Sequence, residues 1–134
     1  MGFELFTTLE LPVRGDSRGL LVSIEDEPML SMSIKRAYFI FETKEGVTRG
    51  NHAHKTLNQY MVCISGSCEV VFDDGRLVEK LRLDRPNQCV SIRPLVWHSM
   101  QDFTDDCILL VLADQHYDEA DYLRNYNEFL DLVR

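Results

Sequence analysis

The chain is built from short runs rich in Val, Ile, Tyr and Phe, and turn residues separate these runs. Such runs are typical of β-strands, and here they cover residues 20–25, 34–41, 57–64, 67–73, 76–83, 88–92 and 107–113. Asp73-Asp74-Gly75 predicts a hairpin turn, because glycine adopts positive φ at little steric cost. Many short strands at this spacing predict a β-sandwich or barrel.

The end of the chain has a different periodicity. From Asp118 onwards the apolar residues follow helical spacing: Tyr122, Leu123, Tyr126, Phe129, Leu130 and Val133. Asp118 is a suitable N-cap. The pattern therefore predicts a mainly β fold with one C-terminal amphipathic helix.

The length and net charge of the chain exclude some classes of function. The 134 residues fit one domain covering 1–134, and no linker or repeat divides them. The net charge of −8 argues against a nucleic-acid partner, since the phosphate backbone attracts a basic surface. An anionic small molecule remains possible, because it requires only a few arginines in one pocket.

The cysteines and the apolar runs predict a cytoplasmic protein. Cys63, Cys68, Cys89 and Cys107 contain no CxxC pair and lie inside strand-like runs, which is typical of buried thiols. Residues 1–12 lack a basic stretch followed by an apolar one. The longest apolar run, residues 107–113, is far too short to span a membrane.

Two closely spaced histidines are the main chemical signal. His52 and His54 flank Ala53, so on a strand both side chains face the same side. The chain has no Ser-His-Asp signature, no Gly-rich phosphate loop and no CxxC motif. Two imidazoles in one cavity are suited to proton transfer near neutral pH.

The residues around this pair resemble the first motif of the cupins, which are small jelly-roll barrels. Gly46, His52-Ala53-His54, Gln59 and Gly66 have the spacing of that motif. In cupins the histidine pair usually binds a divalent metal with a downstream Glu and a later His. Gln59 replaces the Glu, and His98 stands at an altered spacing. Since hard divalent ions favour charged oxygen ligands, we predict no metal and no cofactor.

The chain more closely resembles the WxcM-like, FdtA-type sugar nucleotide 3,4-ketoisomerases. The matching residues are 16–19, 33–36, 49–55, 65–68, 73–75, 94–98 and 117–122. The resemblance implies a homodimeric cupin that needs no metal and converts dTDP-4-keto-6-deoxyglucose to a dTDP-3-keto-6-deoxyhexose. An aminotransferase would then make a 3-amino-3,6-dideoxyhexose for a bacterial surface polysaccharide, such as a lipopolysaccharide O-antigen or an S-layer glycan.

The resemblance also assigns roles to the histidines. His52 would be the base that removes the C3 proton, and His54 would carry a proton between the C3 and C4 oxygens. The sequence does not prevent an exchange of these roles. Moving the ketone from C4 to C3 through an enediol is general acid–base chemistry, which agrees with the imidazole pair.

The candidate binding residues are Arg18, Arg36, Tyr38, Arg49, Gln59 and His98. Arginine suits the diphosphate because its planar fork bonds phosphate oxygens bidentately. Each arginine has the alternative of a surface ion pair, and Tyr38 that of a core tyrosine. Trp97 is expected in the core or an interface, and His116 in a solvated loop. Arg18-Gly19 also resembles the branch of the family that gives the galacto product more than the branch that gives the gluco product, so the resemblance implies the galacto product.

Three alternatives remain open. A 3,5-epimerase also removes a proton beside a ketone. A metal-dependent cupin such as a dioxygenase would need a better ligand than Gln59. A non-catalytic sugar-binding domain would bind the ligand without turnover.

Overall fold

The computed structural model describes residues 4–134. Residues 1–3, which belong to the predicted domain 1–134, lie outside the described residues. Within residues 4–134, ten strands form two antiparallel five-stranded sheets. The first sheet consists, in spatial order, of β1 (Thr8–Glu10), β9 (Gln88–Ile92), β6 (Gln59–Ser65), β11 (Ile108–Ala113) and β4 (Arg36–Ile40). The second consists of β12 (Tyr122–Leu123), β5 (Arg49–His54), β10 (Trp97–Gln101), β7 (Cys68–Asp73) and β8 (Val78–Leu83).

The core lies between the two sheets. Along β7 buried and half-buried residues alternate, as the period of two in a strand requires. Inward-facing residues of both sheets share one cluster, which includes Met61, Val90, Val111, Val70, Phe72 and Leu83. Burial of this apolar surface is the main stabilising contribution to the sandwich. The predicted mainly β, jelly-roll class is confirmed, with the strands in two facing sheets.

A separate hairpin overlaps the first predicted run, residues 20–25, with its second strand. It consists of β2 (Val13–Asp16) and β3 (Gly19–Val22), which pair only with each other among the described residues. Nearly all of its residues are exposed. An isolated two-stranded ribbon is marginally stable in water, and Val22 is the hairpin residue that packs against a core cluster, that of Leu11, Val62 and Cys89.

The C-terminal prediction is correct for the helix and wrong for where it begins. Asp118 caps a single 3₁₀ turn, Glu119–Asp121, and β12 follows by pairing with β5. The α-helix α1 spans Tyr126–Val133, with Asn125 as its N-cap. Pairing of Tyr122 and Leu123 with β5 overrides the helical spacing, because long-range strand pairing is invisible to local periodicity.

All seven predicted strand runs contain a strand, with boundaries moved by a few residues. The runs do not mark β1, β2, β5, β10 or β12, although the histidine pair was expected on a strand and lies in β5. Among residues 4–134, no helix is both long and apolar enough to cross a membrane.

Candidate active site

Neighbouring strands bring three histidines together. His52 and His54 lie on β5, and His98 lies on β10, where it pairs with His52. The ring centroids are 5.0 Å apart for His52 and His54, 4.8 Å for His52 and His98, and 5.9 Å for His54 and His98. The structure thus places the two predicted histidines on one face, with the third beside them.

Gly50 permits this close approach. It has a φ of +88°, and the ladder between β5 and β10 shifts register at Ser99, opposite Gly50. A Cβ at this position would lie 3.0 Å from the carbonyl oxygen of His98. Only glycine combines this φ with this spacing at little cost.

All three histidines are uncharged at neutral pH. Burial lowers the pKa of His54 and of His98 to about 3 each, and nearby imidazoles add to the effect. Burial also lowers the pKa of His52, with a further contribution from the positive charge of Arg124. A neutral imidazole keeps one nitrogen lone pair available to a proton donor.

The protonation of the His98 ring follows from its hydrogen bond. Nδ1 of His98 lies 3.0 Å from the carbonyl oxygen of Val96, which can only accept. Nδ1 therefore carries the proton, and Nε2 is left with a free lone pair.

Asp121 lies near Nδ1 of His54, as the Val96 carbonyl lies near Nδ1 of His98. Its Oδ2 lies 3.6 Å from Nδ1 of His54, longer than a hydrogen bond. The carboxylate accepts hydrogen bonds from Thr56 N and Oγ1 and from Leu57 N, at 2.9, 2.8 and 3.2 Å. A fixed negative charge at this distance favours the His54 tautomer with the proton on Nδ1.

A cleft of about 570 Å³ opens in front of the histidines. Its wall contains Arg36, Ala37, Tyr38, Ile40, Val47, Thr48, Arg49, Gly50, His52, Met100, Tyr117, Tyr122 and Arg124. His52 borders the cleft, whereas His54 and His98 are 2% and 1% exposed and lie behind it. The three histidines thus form the floor of the cleft, and the guanidinium groups of Arg36, Arg49 and Arg124 give it a cationic rim.

Of the six predicted binding residues, Arg36, Tyr38 and Arg49 line the cleft. Gln59 and His98 are buried and do not line it, and Arg18 lies elsewhere. Gln59 is buried and donates from Nε2 to the Tyr38 hydroxyl at 3.0 Å, so it orients that tyrosine. Burial raises the pKa of Tyr38, which keeps its hydroxyl protonated.

Arg18 is not part of this cleft in its own chain. It lies in the turn of the β2–β3 hairpin, where its side chain is 88% exposed and pairs with Asp16 at 2.7 Å. His116 is exposed, as predicted, and Trp97 packs against Tyr126 and Phe129 of α1.

The sequence reasoning missed residues of the C-terminal segment. Tyr122 packs against both motif histidines, with ring centroids 4.4 Å from His54 and 5.1 Å from His52. The Arg124 guanidinium lies 4.3 Å from the Tyr122 ring centroid and pairs with Glu119. The available signal was the dense Tyr117-Asp118-Glu119-Ala120-Asp121-Tyr122 segment, which we matched to the family without assigning it a role.

A metal ion is chemically compatible with the three histidines. One ring nitrogen from each of His52, His54 and His98 lies within 4.8 Å of the others. Three imidazoles suit zinc, iron or copper, although Gln59 supplies no charge at the usual carboxylate position. The absence of a required metal therefore stays a prediction.

Comparison with known proteins gives consistent matches over most of the chain. A family model described as FdtA, WxcM-like, C-terminal, matches residues 5–134. A curated relative from Aneurinibacillus thermoaerophilus, TDP-4-oxo-6-deoxy-alpha-D-glucose-3,4-oxoisomerase, is 50% identical over 114 residues. The match covers 85% of this chain and 82% of the relative.

Two solved structures have the same fold. A 3,4-ketoisomerase from Helicobacter canadensis is 40% identical with a TM-score of 0.93, and the match covers 96% of each chain. The 3,4-ketoisomerase QdtA from Thermoanaerobacterium thermosaccharolyticum, as a His-to-Asn mutant in complex with TDP-4-keto-6-deoxyglucose, is 35% identical. Its TM-score is 0.95, and the match covers 98% of this chain and 96% of that chain.

Proposed function

The chain belongs to the family described as FdtA, WxcM-like, C-terminal, and from this membership we propose that it is a TDP-sugar 3,4-ketoisomerase. The substrate is dTDP-4-keto-6-deoxy-D-glucose and the product a dTDP-3-keto-6-deoxyhexose. The observation that supports this most directly is the cluster of three neutral imidazoles behind an arginine-lined cleft.

The reaction requires proton transfers at two carbons and between two oxygens. His52, which borders the cleft, removes the proton at C3 that the neighbouring C4 ketone acidifies. The electrons form an enediol, which regains a proton at C4 while the C3 oxygen becomes the ketone. His54 carries the proton between the two oxygens, and Asp121 holds the tautomer that this requires. Each acid–base group contributes about 10²–10⁴-fold in rate.

The nucleotide is bound by the cationic rim. Arg36 and Arg49 line the cleft, and the Arg36 guanidinium lies 5.3 Å from the Tyr38 ring centroid and 5.6 Å from that of Tyr117. Nε of Arg36 is buried without a hydrogen-bond partner among the described residues. A buried donor of this kind is costly unless a ligand satisfies it, and a phosphate oxygen does so.

The protein acts as a homodimer. Large apolar side chains are exposed on the first sheet and the hairpin, among them Phe39 at 60% and Leu20 at 78%. β4 is an edge strand of that sheet, and exposed apolar edges are prone to pair with another chain. A second copy that covers these residues would also support the isolated hairpin.

We assign Arg18 to the cleft of the second copy, since it lies outside its own. The test mixes Arg18→Ala and His52→Asn subunits, refolded together. If Arg18 acts across the dimer, the mixture regains about a quarter of wild-type activity, because half of the dimers are mixed and each has one complete site. Activity no higher than the mean of the two variants would place Arg18 elsewhere.

The product is assigned the galacto configuration at C4, on the support of Arg18-Gly19. Its chemistry fits an aminotransferase that makes a 3-amino-3,6-dideoxy sugar for a surface polysaccharide. We place the reaction in the cytoplasm, where the four free cysteines would remain reduced.

The function is tested by NMR of chelator-treated protein with dTDP-4-keto-6-deoxyglucose. In deuterated buffer the proposal expects a 3-keto product with deuterium at C4 and none at C5, whereas a 3,5-epimerase labels C5. In ordinary water a small coupling between H4 and H5 indicates the galacto product and a large one the gluco product. An unchanged spectrum, with or without added divalent metal, rejects the proposal.

The proposed roles of His52 and His54 are tested by substituting each histidine and a matched control. His52→Asn and His54→Asn should each lower kcat by about 10²–10⁴-fold while the fold is retained. His116→Asn changes an exposed loop histidine in the same way and should keep wild-type turnover. Near-wild-type kcat in both motif variants would reject the mechanism.

A further inference from the structure

Three of the four buried cysteines converge at one end of the sandwich. Cys63 lies in β6, Cys68 begins β7, and Cys107 directly precedes β11. Their Sγ atoms all lie within 4.8 Å of one another, and those of Cys63 and Cys107 are 3.5 Å apart. Cys68 is four residues along β7 from Phe72, the partner of His98, so about 13 Å of strand separates this cluster from the histidines.

Hydrogen bonds between the β6–β7 turn and residues 104–107 fix the positions of the cysteines. The turn between β6 and β7 is fastened to residues 104–107 by hydrogen bonds from Ser67 N to Thr104 Oγ1 and from Thr104 N to the Ser67 carbonyl, each 2.9 Å. Gly66, at the centre of the turn, has a φ of +65°, and a Cβ there would lie 2.3 Å from Thr104 Oγ1. This close contact between turn and loop brings Cys107 against Cys63, so the three sulfurs are arranged before any ligand arrives.

The surroundings of the cluster include one positively charged side chain. A thiolate is the form of cysteine that binds metals. Arg82 donates to Ser67 Oγ at 2.6 Å and also pairs with Asp102 at 2.7 Å, so its positive charge lies at the turn beside Cys68.

We propose that Cys63, Cys68 and Cys107 form a trigonal binding site for a soft monovalent metal ion, Cu(I). Three sulfurs bonded to one central ion at about 2.3 Å lie roughly 4.0 Å from each other. The observed spread, from 3.5 Å to at most 4.8 Å, includes this value, so small side-chain rotations complete the site. Each thiol that binds releases its proton to solvent, and copper stays as Cu(I), so no electron is transferred.

The donor set selects this ion over the alternatives. Soft thiolates favour Cu(I) and zinc over magnesium or calcium. Structural zinc is almost always four-coordinate, and among residues 4–134 the cluster contains only three His, Cys, Asp or Glu donors. A three-coordinate thiolate site therefore fits Cu(I) best.

The test uses the full chain, reduced and free of oxygen, titrated with Cu(I) held by bathocuproine disulfonate. The wild-type protein should remove one equivalent of Cu(I) per chain from the chelator. Since loss of outer-shell partners alone costs 10–100-fold in metal affinity, Cys63→Ser should weaken binding by roughly 100-fold or more. Cys89→Ser is the matched control, because Cys89 is an equally buried cysteine outside the cluster.

X-ray absorption of the copper-loaded wild type keeps the proposal falsifiable if Cys63→Ser does not fold. A first shell of three sulfurs supports the thiol site. Nitrogen donors would place the copper on the histidines and overturn it. Wild-type binding no tighter than that of folded Cys63→Ser, or an equal loss in Cys89→Ser, would overturn it as well.

Discussion

Replacing Asp121 with asparagine should change the tautomer of His54 without altering the lining of the cleft. Oδ1 of Asp121 accepts from Thr56 N and Oγ1, whereas Oδ2 accepts from Leu57 N and faces Nδ1 of His54. If the asparagine keeps its oxygen on Thr56, its amide group points toward His54 and donates. Nδ1 must then accept, so the proton moves to Nε2 and His54 takes the wrong tautomer.

The size of the effect follows from the strength of the lost interaction. Hydrogen-bond-like interactions with a charged partner contribute about 1.5–3 kcal/mol, and the 3.6 Å separation favours the lower end. Since 1.4 kcal/mol corresponds to tenfold, the share of the competent tautomer should fall by roughly 10- to 100-fold. We expect kcat to fall by that factor while KM changes little, because Asp121 does not line the cleft.

The assay is steady-state turnover from pH 6 to 9, combined with nitrogen-15 NMR of the His54 ring. Asp118→Asn is the matched control, because asparagine caps a helix as well as aspartate does and Asp118 caps the same 3₁₀ turn. A folded Asp121→Asn enzyme within twofold of wild-type kcat, or an unchanged His54 tautomer, would refute the reasoning.

Three further predictions concern stability and assembly. Unfolding exposes His98 and His54, whose folded pKa values of about 3 lie below the ordinary 6.5. As the pH is lowered below about 6.5, each should therefore decrease the free energy of unfolding by up to ~1.4 kcal/mol per pH unit. His98→Gln should remove its share of this slope in urea melts, and an unchanged slope would contradict the assignment. Gly50→Ala should lower the free energy of unfolding by about 1–3 kcal/mol, which is more than Gly46→Ala should. Both glycines have positive φ, but of the two only Gly50 has a neighbour 3.0 Å from the added Cβ. Equal decreases of the urea midpoint in the two variants would count against the contact. Leu20→Asp should shift the proposed dimer toward monomer in light scattering, and an unchanged mass would place the interface away from the hairpin.

Local patterns were sufficient for what neighbouring residues determine. The period of two placed His52 and His54 on one face, and the β-rich runs located most strands, because both depend on a few adjacent residues. Helical spacing located α1 but also included Tyr122 and Leu123, which pair with β5 instead.

His98 is a candidate binding residue in the sequence and Asp121 is not, but the sequence showed the position of neither one relative to the histidine pair, because both positions depend on distant pairing. His98 reaches His52 only because β10 pairs with β5, and Asp121 reaches His54 only because β12 pairs with the other edge of β5. No local motif encodes either contact. Arg18 shows the same limit, since its matching segment did not indicate that it lies outside the cleft of its own chain.

The neutral floor and cationic rim of the cleft also give the substrate a direction of entry. A nucleotide sugar is charged at the diphosphate and uncharged at the ketone, so the arginines retain one end while the uncharged imidazoles admit the other. Attraction at an open rim is screened within about 8 Å at physiological ionic strength, whereas chemistry at buried groups is screened far less. Added salt should therefore change how often substrate is captured and leave the rate of the captured molecule nearly constant.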